Sequence, residues 1–467
     1  MKKTMFREYD IRGRVSDDEL NPQSVEIIAK AFGTHMKQQK GYSMAVVGYD
    51  SRKCSPDFRD AVVKGLNAVG CTTVDIGMAT TPVFYFAQYM LGIPAGVMIT
   101  GSHNPDGWSG FKMANGFSST LLSEDIQKIY EIAEKENFNS GKGTAFKFDQ
   151  IKESYISALK WRVRPNRKLK IVIDAGNGTA GMYAPALFRA AGFEVVEMFC
   201  ELDPGFPNHF PNPSELDTLE MLRKKTIENK ADIGMSFDGD GDRLGVVDEK
   251  GNVVSSDRVL IFLARQILEK KPKAKIVFDV KCTRALIEDI AERGGIPVMW
   301  KTGHSYIKSK VAEEKAALGG EQSGHIFIVD NYYAFDDGLY AGLRLAEYLS
   351  NQDKSFSEVM KTIRQYLSSP NMQVHCADNV KYAVVDRLVE EFKKDFGSEN
   401  VIDINGARVN IGEGWGLIRA SSNVPALVVM LEATTTEDYL KIKKLLKDKL
   451  DKFTEVGKEW ENDVDPF

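Results

Sequence analysis

Nowhere does the sequence carry an apolar run long enough to cross a membrane. Stretches such as Ala426 to Leu431 are strand-sized, well short of the ~20 residues a spanning helix needs. The first ten residues are basic and then acidic, without an apolar leader segment. Cysteine is scarce and scattered: Cys54, Cys71, Cys200, Cys282 and Cys376 form no C-x-x-C pair, which excludes a zinc knuckle, a redox dithiol and a disulfide scaffold. An excess of charge of either sign is missing too. Lysine plus arginine is 61 against 66 for aspartate plus glutamate, a net charge of −5, so the chain is a poor general polyanion binder. A local basic pocket for a phosphorylated ligand remains compatible with that balance. Low-complexity tracts are absent, and 43% hydrophobic and 27% charged residues exclude a disordered or fibrous chain. What remains is a soluble, intracellular, cytoplasmic protein, expected to be a monomer with no nucleic-acid or membrane partner. Its 467 residues exceed the ~250–300 that one core can organise, and suggest about three domains, with four in reach.

A weak internal repeat organises most of the chain. Three β-branched runs end in a polar turn: Ala45 to Asp50, Ile171 to Gly176 and Ile276 to Lys281. Each is followed by a helix-length amphipathic stretch closing on glycine, namely Pro56 to Gly70, Gly181 to Gly192 and Thr283 to Gly294. Glycine there supplies a left-handed cap. Second strands follow at Thr72 to Ile76, Glu194 to Met198 and Ile296 to Trp300, and a strand–helix–strand order favours parallel pairing. A third element in each unit then carries an unusual polar loop: Thr100 to Lys112, Asp238 to Arg243 and Glu321 to His325. The fold class is therefore α/β, as three tandem related domains at 1–150, 151–255 and 256–367, with helical linkers at Gln150 to Trp161 and Asp257 to Lys270.

The remaining segment, 368–467, reads as a smaller α+β domain. A helix at Val385 to Phe396 precedes two alternating runs separated by Asn405-Gly406, a strong short hairpin signal. A strand at Pro425 to Leu431 leads into an amphipathic helix reaching Leu450, with Thr434 and Glu437 spaced as a capping box.

Four loops carry candidate chemistry. The first contains Ser102, a hydroxyl that could serve as nucleophile or phosphate carrier given a partner to activate it, with His103 adjacent. On this loop alone an ordinary turn with a capping serine is the simpler reading. The second places Asp238, Asp240 and Asp242 at i, i+2 and i+4 between glycines. Three carboxylates converge only around a cation, and all-oxygen ligands select Mg²⁺ or Ca²⁺. Counted from Asp238, Glu249 fits position 12 of an EF-hand, but Arg243 stands where glycine is required and strands flank the loop, so the EF-hand is rejected. Three protein carboxylates leave coordination positions open, as Mg²⁺ sites do when a phosphate completes the shell. In the third loop Glu321 and Ser323, at i and i+2 on a strand end, would share a face and could grip vicinal sugar hydroxyls. Lys301 to Ser305 lies just upstream. Only six histidines exist, and His103, His304 and His325 all fall in these segments. The fourth, Arg419 to Pro425, combines one arginine with hydroxyl and amide groups and suits a phosphate monoester.

Taken in order, the four loops resemble the α-D-phosphohexomutase family, most closely its bacterial phosphomannomutase/phosphoglucomutase branch, from the Phe6 to Gly13 segment to the Arg419 loop. The resemblance implies four domains around one central cleft, and reversible interconversion of hexose 1-phosphate and hexose 6-phosphate. It implies a phosphoserine enzyme, one Mg²⁺ per chain and a hexose 1,6-bisphosphate intermediate that also acts as activator. Carried over by position, Ser102 is the phosphoryl carrier, and Asp238, Asp240 and Asp242 hold the metal together with Ser102. Lys112, Arg12, His325, His103 and Arg243 form the catalytic set, with Lys112 the first choice as general acid/base. Glu321 and Ser323 clamp the sugar; Tyr9, Lys281, Thr302, Gly303 and His304 line the ligand; Arg419, Ser421, Ser422 and Asn423 hold the distal phosphate.

Two departures stand out. Gln322 occupies a position where the mannose/glucose branch usually has methionine and the phosphoglucosamine branch commonly has glutamine. Asn423-Val424 replaces more usual threonines. Thr302 to Ser305 and Arg419 to Ser421 match the mannose/glucose branch. The alternatives are a phosphoglucosamine mutase and a non-catalytic relative that binds sugar phosphates.

Overall fold

The structure is a computed structural model describing residues 1–422 and 424–463. Its first sheet contains β1 (Ile11–Arg14), β2 (Met44–Tyr49), β3 (Thr72–Met78), β4 (Ala95–Ile99), β5 (Trp108–Asn115) and β6 (Ala145–Lys147), in the order β1-β5-β4-β2-β3-β6. The second contains β7 (Lys170–Asp174), β8 (Glu194–Met198), β9 (Ile233–Phe237), β10 (Leu244–Asp248) and β11 (Val253–Val254), ordered β11-β10-β9-β7-β8. The third contains β12 (Lys275–Asp279), β13 (Ile296–Trp300), β14 (Leu318–Gly320) and β15 (Ile326–Ile328), ordered β13-β12-β14-β15. One plan underlies all three. A first strand pairs in parallel with its two neighbours, and the third strand turns back into an antiparallel fourth. The shared polar loops are those turns, between β4 and β5, β9 and β10, and β14 and β15.

Burial follows position in the sheet. Every residue of β4 and β9 is buried, whereas the edge strand β13 has none buried; strands covered on both faces need the near-continuous apolar runs found here. Gly70, Gly192 and Gly294 all have positive φ, at 76°, 98° and 72°, as the predicted caps require. The expected helix from Gly181 is shorter. A 3₁₀ turn over Thr179–Met182 precedes a helix over Ala184–Ala190, because Pro185 favours a first-turn position and Gly181 packs against the backbone of Cys200.

The fourth sheet contains β16 (Leu367–Ser368), β17 (Met372–Cys376), β18 (Val401–Ile402), β19 (Ala407–Ile411), β20 (Gly414–Ala420), β21 (Ala426–Ala433) and β22 (Val456–Glu461), mostly antiparallel. Two sequence expectations shift here. The Asn405-Gly406 pair is not a two-residue turn: β18 stops at Ile402, which pairs with Arg408, and Asn405 turns its side chain to other partners. The last helix is capped by Thr435, which accepts from Asp438 N, one residue beyond the expected Thr434.

One continuous apolar core runs through the first three domains, from Val46 to Tyr366. The fourth domain has its own core and docks on the third through a small patch of Val280, Trp415, Leu417, Val428 and Met430. Beside it, buried Arg408 donates to the carbonyls of Val280 and Cys282 at 2.5 and 2.8 Å. No helix among the described residues is long and apolar enough to cross a membrane.

Candidate active site

The β9–β10 turn builds the acidic centre. Gly241, at φ 75°, reverses the chain in a conformation that side chains disfavour. Asp238, Asp240 and Asp242 become fully buried and offer oxygens within 4.8 Å of one another. Gly239 admits the neighbouring domain: a Cβ there would sit 2.5 Å from the carbonyl oxygen of Ser102.

Ser102 enters this space from the β4–β5 loop. Its hydroxyl donates to Asp238 Oδ2 at 2.9 Å and lies 3.1 Å from His103 Nδ1. Its backbone is left-handed, at φ 48°, which costs on the order of 1 kcal/mol for a residue with a side chain. Ser102 N bonds Thr100 Oγ1 at 2.8 Å. From behind, Arg52 donates to the carbonyls of Ser102, Asn104, Pro105 and Trp108. Asp50 accepts from Gly101 N at 2.9 Å and lies 3.3 Å from Arg52 Nε.

Lys112, projecting from β5, reaches Asp240 Oδ2 at 2.9 Å and also Asp242; Thr81 and Thr100 hydroxyls complete the bonds to Asp240 at 2.7 and 3.1 Å. Burial, together with the charges of Asp242 and Asp240, raises Asp238 well above the usual carboxylate range. Burial would raise Asp240 as well, but Lys112 and Thr81 outweigh it and hold Asp240 low. Burial lowers Lys112, and Asp240 and Asp242 overcome that to keep it an ammonium. His103 is pushed down by burial and by Arg243 and Arg12, so its ring is neutral. Among the described residues, Asp240 Oδ1 and Asp242 Oδ1 are buried without hydrogen-bond partners. Three carboxylates, one ammonium and two unpartnered oxygens suit a hard divalent cation, because buried charge left uncompensated is strongly destabilising.

A cleft of about 370 Å³ opens above this centre. Of the residues singled out in the sequence, Tyr9, Arg12, Ser102, His103, Lys112, Arg243, His304, His325 and Ser422 line it. Arg243 Nε donates to His325 Nε2 at 3.0 Å, joining the second and third domains. Lys281, Thr302, Gly303, Glu321 and Arg419 form an adjoining cluster. Buried Glu321 accepts from Gly303 N at 2.5 Å. Asp279 Oδ2 accepts from Thr302 Oγ1 at 3.0 Å and lies 3.5 Å from Lys281 Nζ. Ser323 is placed differently from expectation: residues 321–324 form a turn closed by Gly324 N donating to Glu321 O, and the Ser323 carbonyl accepts from Ser214. The shared strand face assumed for Glu321 and Ser323 is therefore absent, since β14 ends at Gly320. Ser421 Oγ accepts from Val424 N at 3.4 Å; Asn423 lies outside the described residues.

Several residues of the site escaped sequence reading. Asn405 Oδ1 accepts from both Thr302 N and Arg419 Nε, at 3.1 and 3.0 Å, tying the fourth-domain loop to the third domain. Asp50, Asp174 and Asp279 end the equivalent strands β2, β7 and β12, or follow them directly, and each faces a basic side chain: Arg52, His209 and Lys281. Their equivalent place in the repeat was the available signal. Arg7, Glu8, Asp10, Asn104, Trp108 and Val424 complete the cleft wall.

Four family models match consecutive stretches of the chain: phosphoglucomutase/phosphomannomutase alpha/beta/alpha domain I at residues 3–140, domain II at 148–251, domain III at 255–366 and the C-terminal domain at 372–449. The chain belongs to the phosphoglucomutase/phosphomannomutase family. A phosphomannomutase/phosphoglucomutase of Pseudomonas aeruginosa is 39% identical over 447 residues, covering 96% of this chain and 95% of the relative. A phosphoglucomutase of Neisseria gonorrhoeae is 40% identical over 436 residues, covering 93% and 94%. Among solved structures, a phosphoglucomutase/phosphomannomutase family protein of Burkholderia thailandensis superposes with a TM-score of 0.91 at 38% identity, over 97% of this chain and 98% of the other.

Proposed function

We propose that this chain interconverts hexose 1-phosphates and hexose 6-phosphates, with mannose and glucose as the sugars, by lending a phosphoryl group from Ser102 and recovering it through a hexose 1,6-bisphosphate. The observation that carries this reading is the Ser102 hydroxyl bonded into a buried carboxylate triad at the base of a cleft walled by all four domains. The names of the full-length relatives support the substrate class.

In the first half-reaction the 6-hydroxyl oxygen of a hexose 1-phosphate attacks the phosphorus carried on Ser102. The P–Oγ bond breaks, and the hydroxyl proton ends on Oγ. The bisphosphate then turns end for end. Ser102 Oγ attacks the phosphorus at C1, the bond to O1 breaks, and the proton returns to O1, leaving hexose 6-phosphate. Such transfers are chiefly a matter of alignment and neutralisation of the phosphoryl oxygens. His103, 3.1 Å from Oγ, and Lys112, held at the triad by Asp240 and Asp242, are the groups through which the proton moves, and Arg12 and Arg243 offer charge from the cleft wall. Asp238, Asp240 and Asp242, with Ser102, would hold Mg²⁺, which supplies further charge neutralisation when bound. Glu321 serves the sugar hydroxyls, with Lys281, Thr302, Gly303, His304 and Tyr9 around the ligand. Arg419, Ser421, Ser422 and Asn423 hold the phosphate that is not reacting.

Replacing Ser102 by alanine removes the carrier, and turnover of glucose 1-phosphate in a coupled assay should fall by at least about a hundredfold. Retention of a tenth or more of the rate would overturn the reading.

A further inference from the structure

The fourth domain reaches the third through two buried charges that have no part in the reaction described above. Arg408 is 2% exposed and Glu432 1%. They lie on β19 and β21 and share Trp415 of β20. The Arg408 guanidinium stacks 3.8 Å from the Trp415 ring centroid, and Glu432 Oε1 accepts from Trp415 Nε1 at 2.9 Å. Both charges then meet one short segment of the third domain, residues 280–284. Arg408 Nη1 donates to the carbonyls of Val280 and Cys282 at 2.5 and 2.8 Å. Glu432 Oε1 accepts from Arg284 N at 2.9 Å, the first residue of the helix over Arg284–Glu292, where negative charge is favoured.

Lys281 sits between the two residues whose carbonyls Arg408 holds. Val280 packs into the apolar patch against the fourth domain, and Cys282 Sγ bonds Asp279 Oδ1 at 3.1 Å. Lys281 is 5% exposed and places Nζ 3.5 Å from Asp279 Oδ2, in the cluster beside the cleft. From the third domain's own side, Asp257 Oδ2 accepts from Thr283 N at 2.8 Å. Because peptide units are planar, fixing the carbonyls on both sides of Lys281 fixes the backbone from which its side chain departs. We propose that Arg408 is a positioning residue for Lys281, supported by Glu432 through Trp415 and the helix start. Docking of the fourth domain thereby sets a ligand-facing ammonium of the third. This inference rests on the function proposed above, in which Lys281 meets the hexose phosphate.

Arg408→Met keeps most of the stem and removes both bonds to the segment. Lys281 would hold the sugar phosphate in either orientation, so displacing it acts on binding. KM for glucose 1-phosphate should rise about tenfold, with kcat within about threefold of wild type. Lys281→Met should raise KM by about tenfold or more. The effect of Arg408→Met should shrink to about twofold or less in the Lys281→Met background, yet persist in full beside Arg419→Lys, because effects exerted through one group do not add and independent ones do. A fourth domain merely loosened would show the reverse, since Arg419 lies on that domain and Lys281 does not. Arg408→Lys retains the buried charge but ends about one bond short of Nη1, and it carries the same cycle where Arg408→Met does not fold. A KM effect undiminished in the Lys281→Met background overturns the proposal, and so does a KM within about twofold of wild type in the Arg408 variants. A wild type that binds glucose 6-phosphate without turning it over would instead refute the proposed function, and the same cycle read as dissociation constants by calorimetry still decides the coupling.

Discussion

At Ser102 the loop holds a side-chain-bearing residue in left-handed backbone, and its hydroxyl bonds an aspartate of a different domain. Sequence alone could not favour Ser102 over a capping serine, because the partner lies 136 positions away. Asp238, Asp240 and Asp242 were legible, since alternating glycine and aspartate has few uses other than gathering oxygen around a cation. Their arrangement leads to a residue-scale prediction. Asp240 Oδ2 receives Lys112, Thr81 and Thr100 while Oδ1 has no partner among the described residues. Asp240→Asn should therefore raise the Mg²⁺ concentration for half-maximal rate by about tenfold or more. Titration of activity against Mg²⁺ after chelator treatment measures it, and full turnover in chelator would contradict the metal assignment.

At the scale of elements, the first, second and third strands of each repeat and their glycine caps could be read from periodicity, because buried central strands demand apolar runs. The loops between the third and fourth strands were recognisable as unusual, but what holds them was not. Nothing in its sequence context singles out Arg52, which binds four carbonyls of the Ser102 loop from a buried position. Asn405 reads as a hairpin residue, yet it joins Thr302 to Arg419. Such roles depend on which elements meet in space, and composition and spacing are silent on that. Lysine cannot reproduce a fork that serves several carbonyls. Arg52→Lys should lower kcat by about tenfold or more, with KM for glucose 1-phosphate little changed, since a small displacement of a reacting group costs rate more than binding. Steady-state kinetics resolve the two parameters; a change in KM alone would place Arg52 outside the control of the Ser102 loop.

Across the whole molecule, three domains share a core and the fourth docks through a small apolar patch, yet the cleft draws residues from all four. On the proposed cycle, one set of groups must accept the bisphosphate in two orientations, which works against tight contacts to any single ring position. Mannose and glucose differ only at O2. Gln322, the departure noted in the sequence, has its backbone N held 3.3 Å from Asp279 Oδ1 and is not among the residues lining the cleft. We expect kcat/KM for mannose 1-phosphate and glucose 1-phosphate to agree within about tenfold, whereas a dedicated buried partner for O2 would separate them far more. Parallel assays that include glucosamine 1-phosphate test this, and a strong preference for the amino sugar would contradict it.

The central claim is that one phosphoryl group travels through Ser102. Phosphatase-treated enzyme, freed of the phosphatase, should be inactive on glucose 1-phosphate alone. On addition of glucose 1,6-bisphosphate it should gain a single phosphoryl group by intact-protein mass spectrometry, mapped to Ser102 by peptide analysis, and gain activity in step with that modification. Full activity of the unmodified enzyme without bisphosphate, or a phosphoryl group mapped to any other residue, would contradict the account.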